Sequence, residues 1–171
     1  MICEDDGTVA AVVDTGGKIS EEAKLEHYNG ILTPGFVNTH CHLELSHLWK
    51  KIPEKKGIGN FIGHINRLRN KEVEITETEM QKADRRMWAA GVAAVGDISN
   101  SILSLEVKKS SKIFYHTFVE TFGFHPDRAE RAFEWAKFVQ QEFKKNELEA
   151  SVVPHSPYSV SAPLFQMIRV K

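Results

Sequence analysis

From Gly35 onward the sequence alternates between two periods, and no other feature restricts the fold as much. Short apolar runs of strand length begin at Phe36 and Val37, which read as the start of a buried strand, and recur at residues 92–98, 113–120 and 150–154. Between them lie stretches with apolar residues at helical spacing: residues 61–68, then Met80, Ala83, Met87 and Trp88, then Ala129, Ala132, Phe133, Ala136, Val139 and Phe143. The punctuation agrees. Thr76-x-x-Glu79 reads as a capping box, Gly91 as a helix stop and Pro126 as the opening of a long helix. Lys144-Lys145 suits that helix's C-terminus, and Ser161-Ala162-Pro163 opens another helix. Repeated strand–helix units imply βαβ connections and a parallel sheet. The small apolar residues of 92–98 suit a strand buried on both faces.

The first 32 residues read differently. Residues 9–13 form a strand candidate, with turns expected at Thr15-Gly16-Gly17 and Asn29-Gly30. We expect 1–32 to be part of a small β-domain and 33–171 to hold the α/β unit.

Polar residues collect where the strands end: His40, His42 and Glu44; Asp97, Ser99 and Asn100; Glu120 and Thr121; His155 and Ser156. In a (β/α) barrel these ends converge on one mouth. An open doubly wound sheet is the competing layout, but a His pair, and no G-x-G-x-x-G, follows the first strand. In a strand, residues i and i+2 share a side about 6–7 Å apart. His40 and His42 could therefore converge on one ion, with metal–nitrogen bonds of about 2.0–2.1 Å. That is half a metal site. Plainer readings compete: Asp97 and Asn100 as helix caps, Glu120 as a solvated loop residue, His116 as a hydrogen-bonded interior histidine. His27, His47, His64 and His125 read as surface or loop residues.

The 22 basic and 23 acidic side chains leave a net charge of −1, so neither nucleic acid nor an anionic membrane is an expected partner. The basic pairs Lys108-Lys109 and Lys144-Lys145 read as solvated helix ends. No apolar run nears the ~20 residues of a membrane span. The acidic N-terminus lacks a signal peptide's order, and two cysteines, Cys3 and Cys41, suit a reducing cytoplasm.

Three segments carry a resemblance: TPGFVNTHCHLELS around the His pair, GVAAVGDISN through Asp97, and PHSPYSVS around His155. Together they resemble the amidohydrolase superfamily in its cyclic deaminase and chlorohydrolase branch, and most of all its aminofutalosine deaminase-like group. The resemblance implies strands 1–4, the N-terminal half, of a (β/α)8 TIM-type barrel, with part of a small N-terminal β-sandwich domain. It implies one divalent ion, zinc with iron as the alternative, held in part by His40 and His42. Water activated by that ion attacks a ring carbon of a purine-like or other nitrogen heterocycle, and ammonia leaves. His155 would contact this small-molecule substrate, with Glu44, Ser99 and Glu120 as further pocket residues. Such enzymes often form homodimers.

The family's remaining ligands and its proton-transfer residues lie on strands five to eight, so the catalytic residues are expected beyond Lys171. A whole barrel needs on the order of 250 residues. The expectation is thus part of a larger metal-dependent hydrolase acting on carbon–nitrogen bonds, with this segment inactive alone. The alternatives are an amide or halide leaving group, or a non-catalytic metal-binding or interaction fragment. His42-x-Glu44 also matches the H-x-E of cytidine-type zinc deaminases, but their C-x-x-C is absent.

Overall fold

A computed structural model describes residues 1–14, 16, 25–68 and 73–169 of the chain, which divides into two compact units, Met1–Thr33 and Pro34–Lys171. In the first, β1 (Ile2–Cys3) pairs antiparallel with β2 (Val9–Ala11). Gly7, at φ +87, supplies the left-handed backbone of the turn between them. Of the expected Thr15-Gly16-Gly17 turn, Thr15 and Gly17 lie outside the described residues.

In the second unit the two periods of the sequence become two layers. Strands β3 (Phe36–Cys41), β4 (Val92–Ser99), β5 (Phe114–Thr121) and β6 (Glu149–Pro154) form one sheet, parallel throughout and in chain order. A 3-10 turn, Leu43–Leu48, and helices α1 (Ile58–Leu68) and α2 (Val73–Ala89) join β3 to β4. Helix α3 (Leu105–Ser110) joins β4 to β5, and α4 (Ala129–Lys145) joins β5 to β6. Helix α5 (Ala162–Arg169) follows β6. At Gly91, φ is +82, the conformation that stops α2 and turns the chain into β4.

Alternation along each strand divides its side chains between two faces. Tyr115, Thr117, Val119 and Thr121 are buried, while His116, Phe118 and Glu120 on the other face are only half-buried. Two apolar clusters fill the buried side. One joins Leu43, Met80, Val95, Val107, Ile113 and Tyr115; the other joins Val119, Ala136, Val139, Phe143 and Ala150. Across the opposite face, Val37, Thr39, Ala94, Gly96, Phe114, His116 and Phe118 line an open trough of about 250 Å³.

Four expectations are corrected. Strand β4 is not buried evenly on both faces: toward the trough, which no described element covers, Ala94 and Gly96 are half-buried and Ile98 alone is buried. Phe36 and Val37 are 59% and 63% exposed, since β3 is the edge of the sheet. Thr76 is not an N-cap: α2 begins three residues earlier, and Thr76 sits buried inside it. Lys108 is not solvated. Ser104, Val107 and Lys108 share the inner face of α3, and the Lys108 side chain is wholly buried.

Candidate active site

The His pair sits at the C-terminal end of β3, where the register against β4 shifts between Asn38 and Cys41. The His40 and His42 rings lie 5.1 Å apart, centroid to centroid, edge to face. Cys41, between them, is directed at Asp97. Burial, and then the Asp97 charge, push its thiol up to about 12, so it stays protonated and is a poor metal ligand at neutral pH. Burial also draws the His42 imidazole below the usual histidine range, with Glu120 opposing and His40 adding to the shift. A neutral ring keeps the lone pair that a metal requires.

Asp97 lies behind this strand. One carboxylate oxygen accepts the Leu43 N–H at 2.7 Å, which fixes the backbone just after His42. The other takes the Lys108 ammonium at 2.7 Å and the Ser99 hydroxyl at 3.0 Å. Lys108 also donates to Thr117 Oγ1 at 2.9 Å and to Ser99 Oγ at 3.2 Å. Burial lowers the Lys108 pKa, and Asp97 opposes that shift. Asp97 is thus neither a helix cap nor a mouth residue but half of a buried ion pair under the site.

On the open side, Glu120 and His155 meet. His155 follows the end of β6, its N–H donating to Thr121 O at 3.0 Å, and its Nδ1 lies 2.6 Å from Glu120 Oε1. The Glu120 side chain is 12% exposed and the His155 side chain 46%. Phe122 packs edge-on to the His155 ring with centroids 6.2 Å apart. Asn100 lies beside them: its Nδ2 donates to Glu120 O at 2.8 Å and stands 3.5 Å from Glu120 Oε2. Its backbone is held separately, the N–H by Glu44 and the C=O by Trp135 Nε1 at 2.9 Å.

Of the residues expected to bind substrate, the structure pairs Glu120 with His155, while Glu44 and Ser99 are bonded to other groups. Glu44 is buried, accepting the Asn100 N–H at 3.1 Å and the Ser101 hydroxyl at 2.9 Å; it anchors the loop after β4. Ser99 is fully buried on the helix-facing side of β4, where strand alternation turns it away from the trough. His116 is an interior histidine whose Nε2 lies 2.9 Å from Ser151 Oγ. His47, read as a surface residue, is 5% exposed, and neither ring nitrogen has a partner among the described residues.

Sequence reasoning missed Lys108, whose one signal was the i, i+3, i+4 phase it shares with Ser104 and Val107. It also missed the linking role of Asn100, for which no local signal exists. As to metal, the chemistry of the His40–His42 donor set fits a divalent ion as a partial site. Among the described residues no group of three or more His, Cys, Asp or Glu side chains could hold one. No described helix is long and apolar enough to cross a membrane.

No family model matches the sequence. An adenosine deaminase of Helicobacter pylori is 30% identical over 172 residues, a match covering 93% of this chain and 41% of that protein. The chain therefore spans less than half the length of this curated relative. The crystal structure of H. pylori aminofutalosine deaminase with methylthio-coformycin superposes with a TM-score of 0.65 at 22% identity, over 79% of this chain and 33% of that one. Atrazine chlorohydrolase TrzN from Arthrobacter aurescens, complexed with zinc, gives 0.61 at 13% identity, over 79% and 37%. In sequence this chain is similar to that adenosine deaminase, and in fold to a deaminase and a chlorohydrolase, in each case over part of their length.

Proposed function

We propose that this chain forms strands one to four of a metal-dependent hydrolase barrel, with residues 1–32 contributing to a small β-domain. We read the protein it serves as a deaminase of a purine-like or other nitrogen heterocycle. The observation that carries the reading is the joint placement of two histidine rings 5.1 Å apart at the end of β3 and a carboxylate–imidazole pair at the ends of β5 and β6. Strands that are all parallel and adjacent in chain order support the barrel.

His40 and His42 would hold part of the coordination of one divalent ion, zinc in preference to iron. When bound, such an ion supplies the Lewis acidity that activates water at neutral pH. The remaining steps belong to the protein's own groups. Glu120 orients His155, and His155, exposed at the rim, hydrogen-bonds the heterocycle. Glu44 and the buried Asp97–Lys108 pair hold the strand ends from behind. Proton transfer falls to residues on the strands that complete the barrel. A chlorohydrolase with a TM-score close to that of the deaminase is the observation favouring the second reading, a hydrolase with a halide leaving group.

The test is metal content by mass spectrometry on the protein expressed from its own gene, beside His40→Ala and His42→Ala variants. Ammonia release is scored over aminated purine nucleosides and related heterocycles. One ion per chain, lost in both variants, with ammonia released from a purine-like compound, is the expected result. A metal-bearing protein that releases halide and no ammonia would favour the second reading. A protein that takes up no divalent ion would overturn both.

A further inference from the structure

Asn100 is attached to its surroundings in two separable ways. Its backbone holds the loop after β4: the N–H bonds to the Glu44 carboxylate at 3.1 and 3.2 Å, and the C=O accepts Trp135 Nε1–H at 2.9 Å. Its side-chain amide reaches across the sheet to Glu120. One N–H bonds the Glu120 carbonyl at 2.8 Å, and the same nitrogen stands 3.5 Å from Glu120 Oε2. Glu120 presents its other oxygen, Oε1, to His155 Nδ1 at 2.6 Å. An ionised carboxylate only accepts hydrogen bonds, and opposite one the proton between the two groups belongs on Nδ1. That placement leaves Nε2 as the ring nitrogen that Glu120 does not engage.

We propose that Asn100 is a positioning residue which, through Glu120, fixes a proton on His155 Nδ1 and presents Nε2 to the substrate. In its neutral form such a ring offers an acceptor at Nε2, so the substrate group that it reads is a hydrogen-bond donor, an N–H or an O–H. In unconstrained histidine either nitrogen carries the proton, and the partner of one fixes the role of the other. Because the loop depends on the backbone of Asn100, Asn100→Ala removes the side-chain contacts to Glu120 and leaves the two backbone bonds in place. Asn100→Asp removes the donor as well and sets a second carboxylate facing Glu120. The inference rests on the reading that His155 faces substrate, but its test needs neither substrate nor metal.

Nitrogen-15 spectra of the imidazoles in the full chain report which nitrogen of His155 is protonated. In the wild type we expect Nδ1, and in Glu120→Gln a shift toward the Nε2–H form. In Asn100→Ala the ratio of the two forms should move toward Nε2–H by roughly fivefold, the worth of about one hydrogen bond. Asn100→Asp should move it the same way. A wild-type ring protonated on Nε2 alone overturns the proposal with no variant needed, as does an unchanged ratio in Asn100→Ala. Loss of folding in both Asn100 variants also overturns it, since the side chain would then serve the loop. Failure of the metal and ammonia assays leaves this result untouched, so the two ideas fail separately.

Discussion

Replacing Lys108 by Met is the most severe small change the structure allows. The ammonium and the Asp97 carboxylate are 2.7 Å apart, and both side chains are completely buried. Met fills most of the space left by the lysine stem but leaves a carboxylate with no counter-charge. Breaking a buried pair from one side costs about 3–5 kcal/mol. Asp97 retains the Leu43 N–H at 2.7 Å and the Ser99 hydroxyl at 3.0 Å, which places the expected cost near the lower end, ~3 kcal/mol. With a urea dependence of about 2 kcal/mol per molar, the unfolding midpoint falls by roughly 1.5 M. Salt should hardly alter the difference, because buried charges are little screened. The companion double variant, Asp97→Asn with Lys108→Met, removes both charges and should recover most of the loss, to within about 1 kcal/mol of wild type. A single variant costing under about 1 kcal/mol, or a double variant whose cost is the sum of the two singles, would refute this reasoning. Either result would mean that water reaches the pair.

Three further outcomes are expected. Tyr115 is raised above the usual phenol range by burial, and then by its hydrogen bond to Asp84 at 2.8 Å. A raised acid contributes stability that is intact below the unfolded pKa of about 10 and is lost as pH rises beyond it. Urea titrations from about pH 9 to 11 should therefore show a steeper loss in wild type than in Tyr115→Phe, and parallel losses would contradict this. A Cβ at Gly96 would lie 2.9 Å from Thr39 O and 3.0 Å from the Phe118 ring, so Gly96→Ala should cost about 1–3 kcal/mol by thermal or urea melting, and a neutral result would show that β3 yields. His47→Leu removes two buried nitrogens that have no partner among the described residues, and stability should rise by about 1 kcal/mol; a loss of that size would reveal a hidden partner.

Much of the architecture was legible because periodicity is local. A small-residue apolar run marked β4, an aromatic-rich run from Ile113 marked β5, and the 3.6-residue stripe from Ala129 to Phe143 marked α4. Boundaries were less so. The Thr76-x-x-Glu79 pattern pointed to a helix start, yet α2 begins at Val73, and Glu79 instead bonds Lys82 at 2.7 Å. Short capping patterns recur inside helices, where a buried threonine satisfies the same spacing.

The site divides along the same line. Sequence alone was enough to place two histidines together at the end of β3, to put Glu120 and His155 at the close of their own strands, and to make the strands parallel, since each depends on residues near one another in the chain. Which of the polar strand-end residues face the mouth was left to the packing of distant segments. Ser99 and Glu120 look alike as polar residues at strand ends, yet one lies under the helices and the other beside His155. A strand has a period of two, so a one-residue difference in phase sends a side chain to the opposite face. The β4–β5 register pairs Ser99 with buried Val119, one residue out of phase with Glu120, and so puts Ser99 on the helix side. Glu44 and Lys108 were drawn inside for the same reason: a buried charge is tolerable only where the fold brings its partners, and here those partners come from other strands and loops.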